Sequence, residues 1–206
     1  MSDKFQDKYR IPSARLQNWD YGSNAIYFVT ICTQGRELYF GEIVDGKMVW
    51  SEIGEMAYRF WNEIPNHFPF VELGEFMVMP NHVHGILTFN KPDDNRIHGC
   101  NLIATNRVET PPNQVKTPKL GVSTAETNGA NRTDAASQKW YSGTLGVIIN
   151  QYKRVCTINA RKIHSDFAWQ SRFHDHIIRN NDSFQRISNY ILNNPLNWAE
   201  DKFFMP

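Results

Sequence analysis

The chain has 206 residues, 41% hydrophobic and 13% aromatic, enough for one domain with a packed core. Its formal net charge of +1 argues neither for nor against a polyanionic partner. No run of about 18 apolar residues is present, so no membrane span is expected. The polar N-terminus lacks the apolar stretch of a secretory signal. Cys32, Cys100 and Cys156, widely spaced and without a C-x-x-C pair, fit a reduced cytoplasm better than a disulfide framework.

Residues 1–20 read as an N-terminal arm. From Ala25, β-branched and aromatic residues dominate as far as Thr33 and predict a buried strand. Asp45-Gly46 between Val44 and Val49 signals a hairpin turn. Ser51 is placed to cap a helix whose apolar residues Ile53, Met56, Ala57, Phe60, Trp61 and Ile64 recur at helical spacing up to Pro65. Phe70 to Met79 and Asn81 to Phe89 predict two further strands around a Pro80-Asn81 turn. Residues 91–139 are rich in Asn, Thr, Pro, Ala and Ser without helical or strand periodicity, and read as a mostly disordered insertion. The fold resumes at Trp140, so the domain is expected to comprise 21–90 and 140–200. Leu145, Ile148, Ile149, Tyr152, Cys156 and Asn159 share one helical face. Phe173 to Ile178 reads as a short strand. Asp182 is placed to cap a last helix carrying Phe184, Ile187, Tyr190, Ile191 and Leu192, which stops before Pro195; Asn193, Asn194, Pro195 and Trp198 read as its termination and packing. Helices alternating with a small, largely antiparallel sheet suggest an α+β sandwich.

The chemistry concentrates in Met79-Pro80-Asn81-His82-Val83-His84-Gly85. On a strand His82 and His84 project from one face, a natural half-site for a divalent metal, with Val83 turned into the core. Gly85 would let a ligand or backbone approach closely. His174 and His176 repeat the spacing and compete as the metal pair, or reach substrate. Tyr152 lies on an apolar helical stripe, where packing is its ordinary role, but a phenol can attack a phosphodiester if a metal polarises the phosphate. Cys156 follows one turn later on the same face. Acidic residues dominate 37–75, whereas Lys153, Arg154, Arg161, Lys162, Arg172 and Arg179 make 140–179 basic, a possible footprint for a phosphate backbone or simply a solvated face.

The pieces Tyr27-Phe-Val-Thr-Ile-Cys, Met79-Pro-Asn-His-Val-His-Gly, Ile149-Asn-Gln-Tyr-Lys, Trp169-Gln-Ser-Arg-Phe-His-Asp-His-Ile-Ile-Arg and Tyr190-Ile-Leu-Asn-Asn-Pro-Leu-Asn-Trp occur in this order. Together they resemble the single-tyrosine HUH transposases, especially the REP-associated branch, over about 10–90 and 140–200. The resemblance implies a ferredoxin-like fold, with the antiparallel sheet carrying its helices on one face. It implies His82 and His84 as metal ligands, Tyr152 as nucleophile, and Mg²⁺ or Mn²⁺ as the metal. The reaction implied is cleavage and rejoining of single-stranded DNA beside hairpins through a 5′-phosphotyrosine link, often by dimers. Lys153, Arg154, Trp169, Gln170, Arg172 and Arg179 are the expected DNA contacts. The family commonly has Gln, Asn or His one turn after the tyrosine as a third ligand, and Cys156 departs from that pattern. Thiolate suits Zn²⁺ better than Mg²⁺, so either Cys156 only packs or the metal differs, and His176 or water completes the shell. Two rival readings stand beside this one. One is a domesticated protein that binds hairpin DNA without cutting; the other is an unrelated metal hydrolase using His82, His84, His174 and His176.

Overall fold

A computed structural model describes residues 15–16, 18–92 and 143–204, and the backbone of two short N-terminal strands, β1 (Lys4–Phe5) and β2 (Lys8–Tyr9). Nearly all of the expected insertion at 91–139 lies outside the described residues. The chain continues through β3 (Ile26–Cys32), β4 (Gly41–Val44), β5 (Lys47–Trp50), α1 (Glu52–Asn62), α2 (Ile64–His67), β6 (Val71–Met79) and β7 (His82–Phe89). After the insertion come α3 (Leu145–Ala160), β8 (His174–Ile178) and α4 (Asn181–Asn193), then a single helical turn at Trp198–Glu200.

Local chemistry explains most of these boundaries. Asp45 and Gly46 both take positive φ, 52° and 71°, the pair that a tight β4–β5 hairpin requires. The Ser51 side chain accepts the Gly54 amide and starts α1. At the start of α4 the capping residue is Asn180, whose Oδ1 accepts the Ser183 amide at 2.8 Å, rather than Asp182, which sits in the first turn. β6 and β7 are joined by the two-residue turn Pro80-Asn81, which fixes the register Met79 against His82.

The four long strands form one antiparallel sheet in the order β6-β7-β3-β8. With α1 between β3 and β6 and α3 between β7 and β8, this is the ferredoxin-like βαββαβ arrangement. One face carries Tyr27, Val29, Ile31, Val78, Val83 and Leu87 and is covered by α1 and α3 through Trp61, Ile148, Ile149 and Tyr152. The expected cover of helices is therefore present on this face. The opposite face carries Ile26, Ile86 and Ile178 and is covered by α4 through Ile191. Because side chains alternate along β7, Val83, Gly85 and Leu87 point toward α1 and α3, whereas His82, His84 and Ile86 point toward α4. That division decides which tyrosine can meet the histidines.

Candidate metal and nucleophile site

His82 and His84 stand side by side on β7, their ring centroids 4.3 Å apart. Both are sealed from solvent, at 0% and 1% exposure. The cover comes from the C-terminal segment. The Phe203 ring lies 4.6 Å from His82 and Trp198 lies 6.0 Å away. Phe203 is tied down by its carbonyl, which accepts the Asn81 amide nitrogen at 2.8 Å, while Arg36 donates to the Lys202 carbonyl at 2.8 Å.

The surroundings fix the state of each ring. Asn81 Nδ2 donates to the Arg36 and Phe203 carbonyls, which turns its Oδ1 toward His82 Nδ1 at 2.9 Å. Nδ1 therefore carries the hydrogen, and Nε2 presents a bare lone pair, as outer partners of metal-binding histidines do. His82 Nε2 has no hydrogen-bond partner. His84 Nδ1 lies 2.9 Å from Thr30 Oγ1, a hydroxyl able to serve either tautomer. Burial pushes the His82 pKa down to about 3, with Lys202 and Arg36 adding to the effect. Burial, and then His82 itself, holds His84 well below the usual range. Both rings are neutral, the form that binds a cation.

His84 Nε2 lies 3.2 Å from the hydroxyl of Tyr190 on α4. Tyr190 Oη also lies 3.2 Å from Asp201 Oδ2. A phenol has one hydrogen and a carboxylate only accepts, so Tyr190 donates to Asp201. Burial, followed by the charge and hydrogen bond of Asp201, pushes the Tyr190 pKa up to about 12. One helical turn on, Asn194 Nδ2 donates to the same Asp201 oxygen at 2.7 Å, leaving Asn194 Oδ1 buried and unpartnered. His82, His84 and Asp201 offer ligand atoms that all lie within 4.8 Å of one another, the one such cluster among the described residues. Each orphaned acceptor costs roughly 1–3 kcal/mol when left bare in the interior. A bound cation would offset that cost, so the donor set fits a divalent metal.

Tyr152 is elsewhere. It lies on α3, beneath the other face of the sheet, and donates to the Ala57 carbonyl at 3.1 Å. Its ring packs edge-on against Trp61 at 5.1 Å. Burial, reinforced by Cys156, holds its phenol well above the ordinary range. Its expected meeting with the histidines does not occur, because the helical stripe that carries it faces α1 and the wrong side of β7. Cys156 shares that position and is packing, its thiol pushed up by burial. His174 and His176 pair with Thr30 and Phe28, so they lie on the histidine face but across β3. Their backbones stand about two strand spacings, ~10 Å, from β7, and neither is part of the cluster formed by His82, His84 and Asp201. Gly85 faces the Trp61 ring rather than the site.

Of the expected DNA contacts, Trp169 is packed among Phe40, Phe167 and Tyr152, with its Nε1 on the Lys153 carbonyl at 3.2 Å. It is not free to stack on a base. Lys153 Nζ donates to the Gln170 carbonyl. Gln170, Arg172 and Arg179 are exposed near β8, whereas Arg154 lines a cleft between α1, α2 and α3. Asn81, Thr30, Tyr190, Asn194 and Asp201 are the residues that sequence reasoning did not assign to the site. The signal for two of them was available, since Tyr190 and Asn194 stand one helical turn apart at the start of the last piece that carries the resemblance.

The fold and this cluster define the class: a ferredoxin-like domain with a buried His-Val-His pair on a central strand. The chain belongs to one family with an uncharacterized protein of Haemophilus influenzae, 33% identical over 194 residues, which span 94% of this chain and 92% of that one. No protein-family model matches the chain. Among solved structures, a REP-associated tyrosine transposase bound to a REP hairpin aligns with 91% of this chain and 76% of its own, at 17% identity and a TM-score of 0.47.

Proposed function

We propose that the protein is a metal-dependent single-stranded DNA endonuclease and strand transferase, acting beside DNA hairpins, in which Tyr190 rather than Tyr152 is the nucleophile. The observation that carries the reading is the 3.2 Å approach of the Tyr190 hydroxyl to His84 Nε2, on the face of the sheet that bears both histidines. The choice also removes the mismatch at Cys156. One turn after Tyr190 stands Asn194, an amide of the kind the family resemblance calls for as third ligand, with its Oδ1 unpartnered. His82 and His84 through Nε2, and Asn194 through Oδ1, would hold Mg²⁺ or Mn²⁺, hard cations for which an amide oxygen is better suited than a thiolate. When bound, the ion supplies Lewis acidity to the phosphate oxygen.

The residues do the rest. Tyr190 Oη attacks phosphorus as the bond to the 3′ oxygen breaks, giving a 5′-phosphotyrosine and a free 3′-OH. Attack by a 3′-OH on that link rejoins DNA without an external energy source. Tyr190 sits at the end of a helix capped at Asn180 and is packed against Phe28, so its hydroxyl is delivered by a rigid element.

A labelled hairpin oligonucleotide incubated with Mn²⁺ is expected to give a covalent adduct. Tyr190→Phe abolishes it, while Tyr152→Phe retains it at a stability cost of about 1 kcal/mol for the lost buried hydrogen bond. An adduct persisting in Tyr190→Phe and lost in Tyr152→Phe would reverse the assignment. The seal formed by Phe203 and Trp198 over His82 favours a second reading, a hairpin-binding protein that does not cut. Tight hairpin binding with no adduct in Mg²⁺ or Mn²⁺ selects that reading.

A further inference from the structure

Asp201 belongs to none of the motifs that suggested a function, yet it is the hub of the site. It follows the last helical turn, and Phe203 donates its amide to Oδ1 at 2.7 Å, which fixes the carboxylate. Oδ2 then accepts two hydrogen bonds, from Tyr190 Oη at 3.2 Å and from Asn194 Nδ2 at 2.7 Å. The second bond decides the orientation of an amide. With its nitrogen held by a carboxylate, Asn194 must present its oxygen elsewhere, and that oxygen is buried with no partner. The first bond decides the direction of a phenol. With the Tyr190 hydrogen on Asp201, the hydroxyl meets His84 Nε2 only as an acceptor and cannot donate to it.

We infer that Asp201 is a positioning residue, which turns the Asn194 amide oxygen toward the cation and draws the Tyr190 hydrogen away from His84. This rests on the reading of His82, His84 and Asn194 as ligands and Tyr190 as nucleophile. It adds that the C-terminal segment supplies the residue that orients them. The carboxylate lies within reach of the histidines, but its Oδ2 is taken by two hydrogen bonds, and it acts through the donors of those bonds, Asn194 and Tyr190.

The test is Mn²⁺ binding to the full chain without DNA, followed by electron paramagnetic resonance, in Asp201→Asn, Asn194→Ala and the double variant. Asp201→Asn is expected to weaken Mn²⁺ about tenfold, the usual scale for an outer partner of a metal ligand. In the Asn194→Ala background the same change is expected to cost less than it does in the native chain, because one of the two residues it acts through is gone. Additive losses would mean that Asp201 ligates the ion itself and would overturn the inference, as would unchanged affinity in Asp201→Asn. Thermal unfolding of each variant accompanies the titration. If Asp201→Asn does not fold, Asp201→Glu carries the test: it keeps the carboxylate but shifts its reach. A loss of affinity in Asp201→Glu that is smaller in the Asn194→Ala background than in the native chain supports the inference, and additive or absent effects oppose it. Mn²⁺ affinity that survives His82→Ala with His84→Ala removes the metal reading as a whole. Loss of affinity in that pair, without Asp201–Asn194 coupling, removes only the role of Asp201.

Discussion

The imidazole of His82 is kept neutral by its lack of solvent and by the nearby charges of Lys202 and Arg36, and its tautomer is set by Asn81. That arrangement has a consequence for stability. The unfolded ring titrates near 6.5, whereas the folded ring resists protonation down to about pH 3. Below pH 6.5 the unfolded chain therefore binds more protons, and stability present at neutral pH is lost as the pH falls. His84 is shifted in the same direction. The unfolding free energy is expected to fall steadily from pH 6.5 toward pH 4, by at most about 1.4 kcal/mol per pH unit for each histidine, and the denaturant midpoint with it. His82→Gln should flatten that slope. A midpoint independent of pH over this range in the native protein would show that the rings are not held neutral.

At the level of elements, β7 separates two environments one residue apart along the strand. Gly85 lies between His84 and Ile86 in sequence but points to the opposite face, where an added Cβ would run into the Trp61 ring of α1. The glycine thus serves the packing of α1 on the sheet and not access to the metal site. Gly85→Ala is expected to destabilise the fold by about 1–3 kcal/mol, the scale of an overpacked core, in a urea titration. Its Mn²⁺ affinity, measured below the unfolding range, should match the native value. A stable Gly85→Ala protein with lost metal binding would contradict this assignment. The helices divide in the same way. Tyr152 on α3 and Tyr190 on α4 both lie on helical stripes, but α3 packs on Val83 and Leu87 and α4 on Ile86. A sheet of single thickness lies between the two phenols.

For the whole molecule, one face of the sheet bears the site and the other bears the helical core. DNA presented to Tyr190 would run over the α4 face, toward the edge strand β8 with its exposed His174 and His176. Arg154, on α3, lies on the other side. Replacing both His174 and His176 by Ala is expected to weaken hairpin binding about fivefold, the value of about one hydrogen bond. Arg154→Ala should change it by less than about twofold, and fluorescence anisotropy at fixed salt measures both. The opposite ranking would place the DNA on the helical face. Among the described residues no helix is long and apolar enough to cross a membrane.

Most elements were legible in the sequence because their signals are local: the Asp45-Gly46 turn, the Ser51 cap and the helical spacing of Ile53 to Ile64 need only near neighbours along the chain. The histidine pair was legible for the same reason, since alternation along one strand puts His82 and His84 together wherever that strand lies. The partner tyrosine was not. Periodicity says that Tyr152 and Tyr190 each face something apolar, but not which side of the sheet that is. The answer depends on the β6-β7-β3-β8 order and on where α4 packs, both set by contacts between segments far apart in the chain. Asp201 was hidden more completely, because a lone aspartate in a C-terminal segment has no periodic neighbours. It gains meaning only when that segment folds back and brings its carboxylate to Tyr190, Asn194 and the two imidazoles.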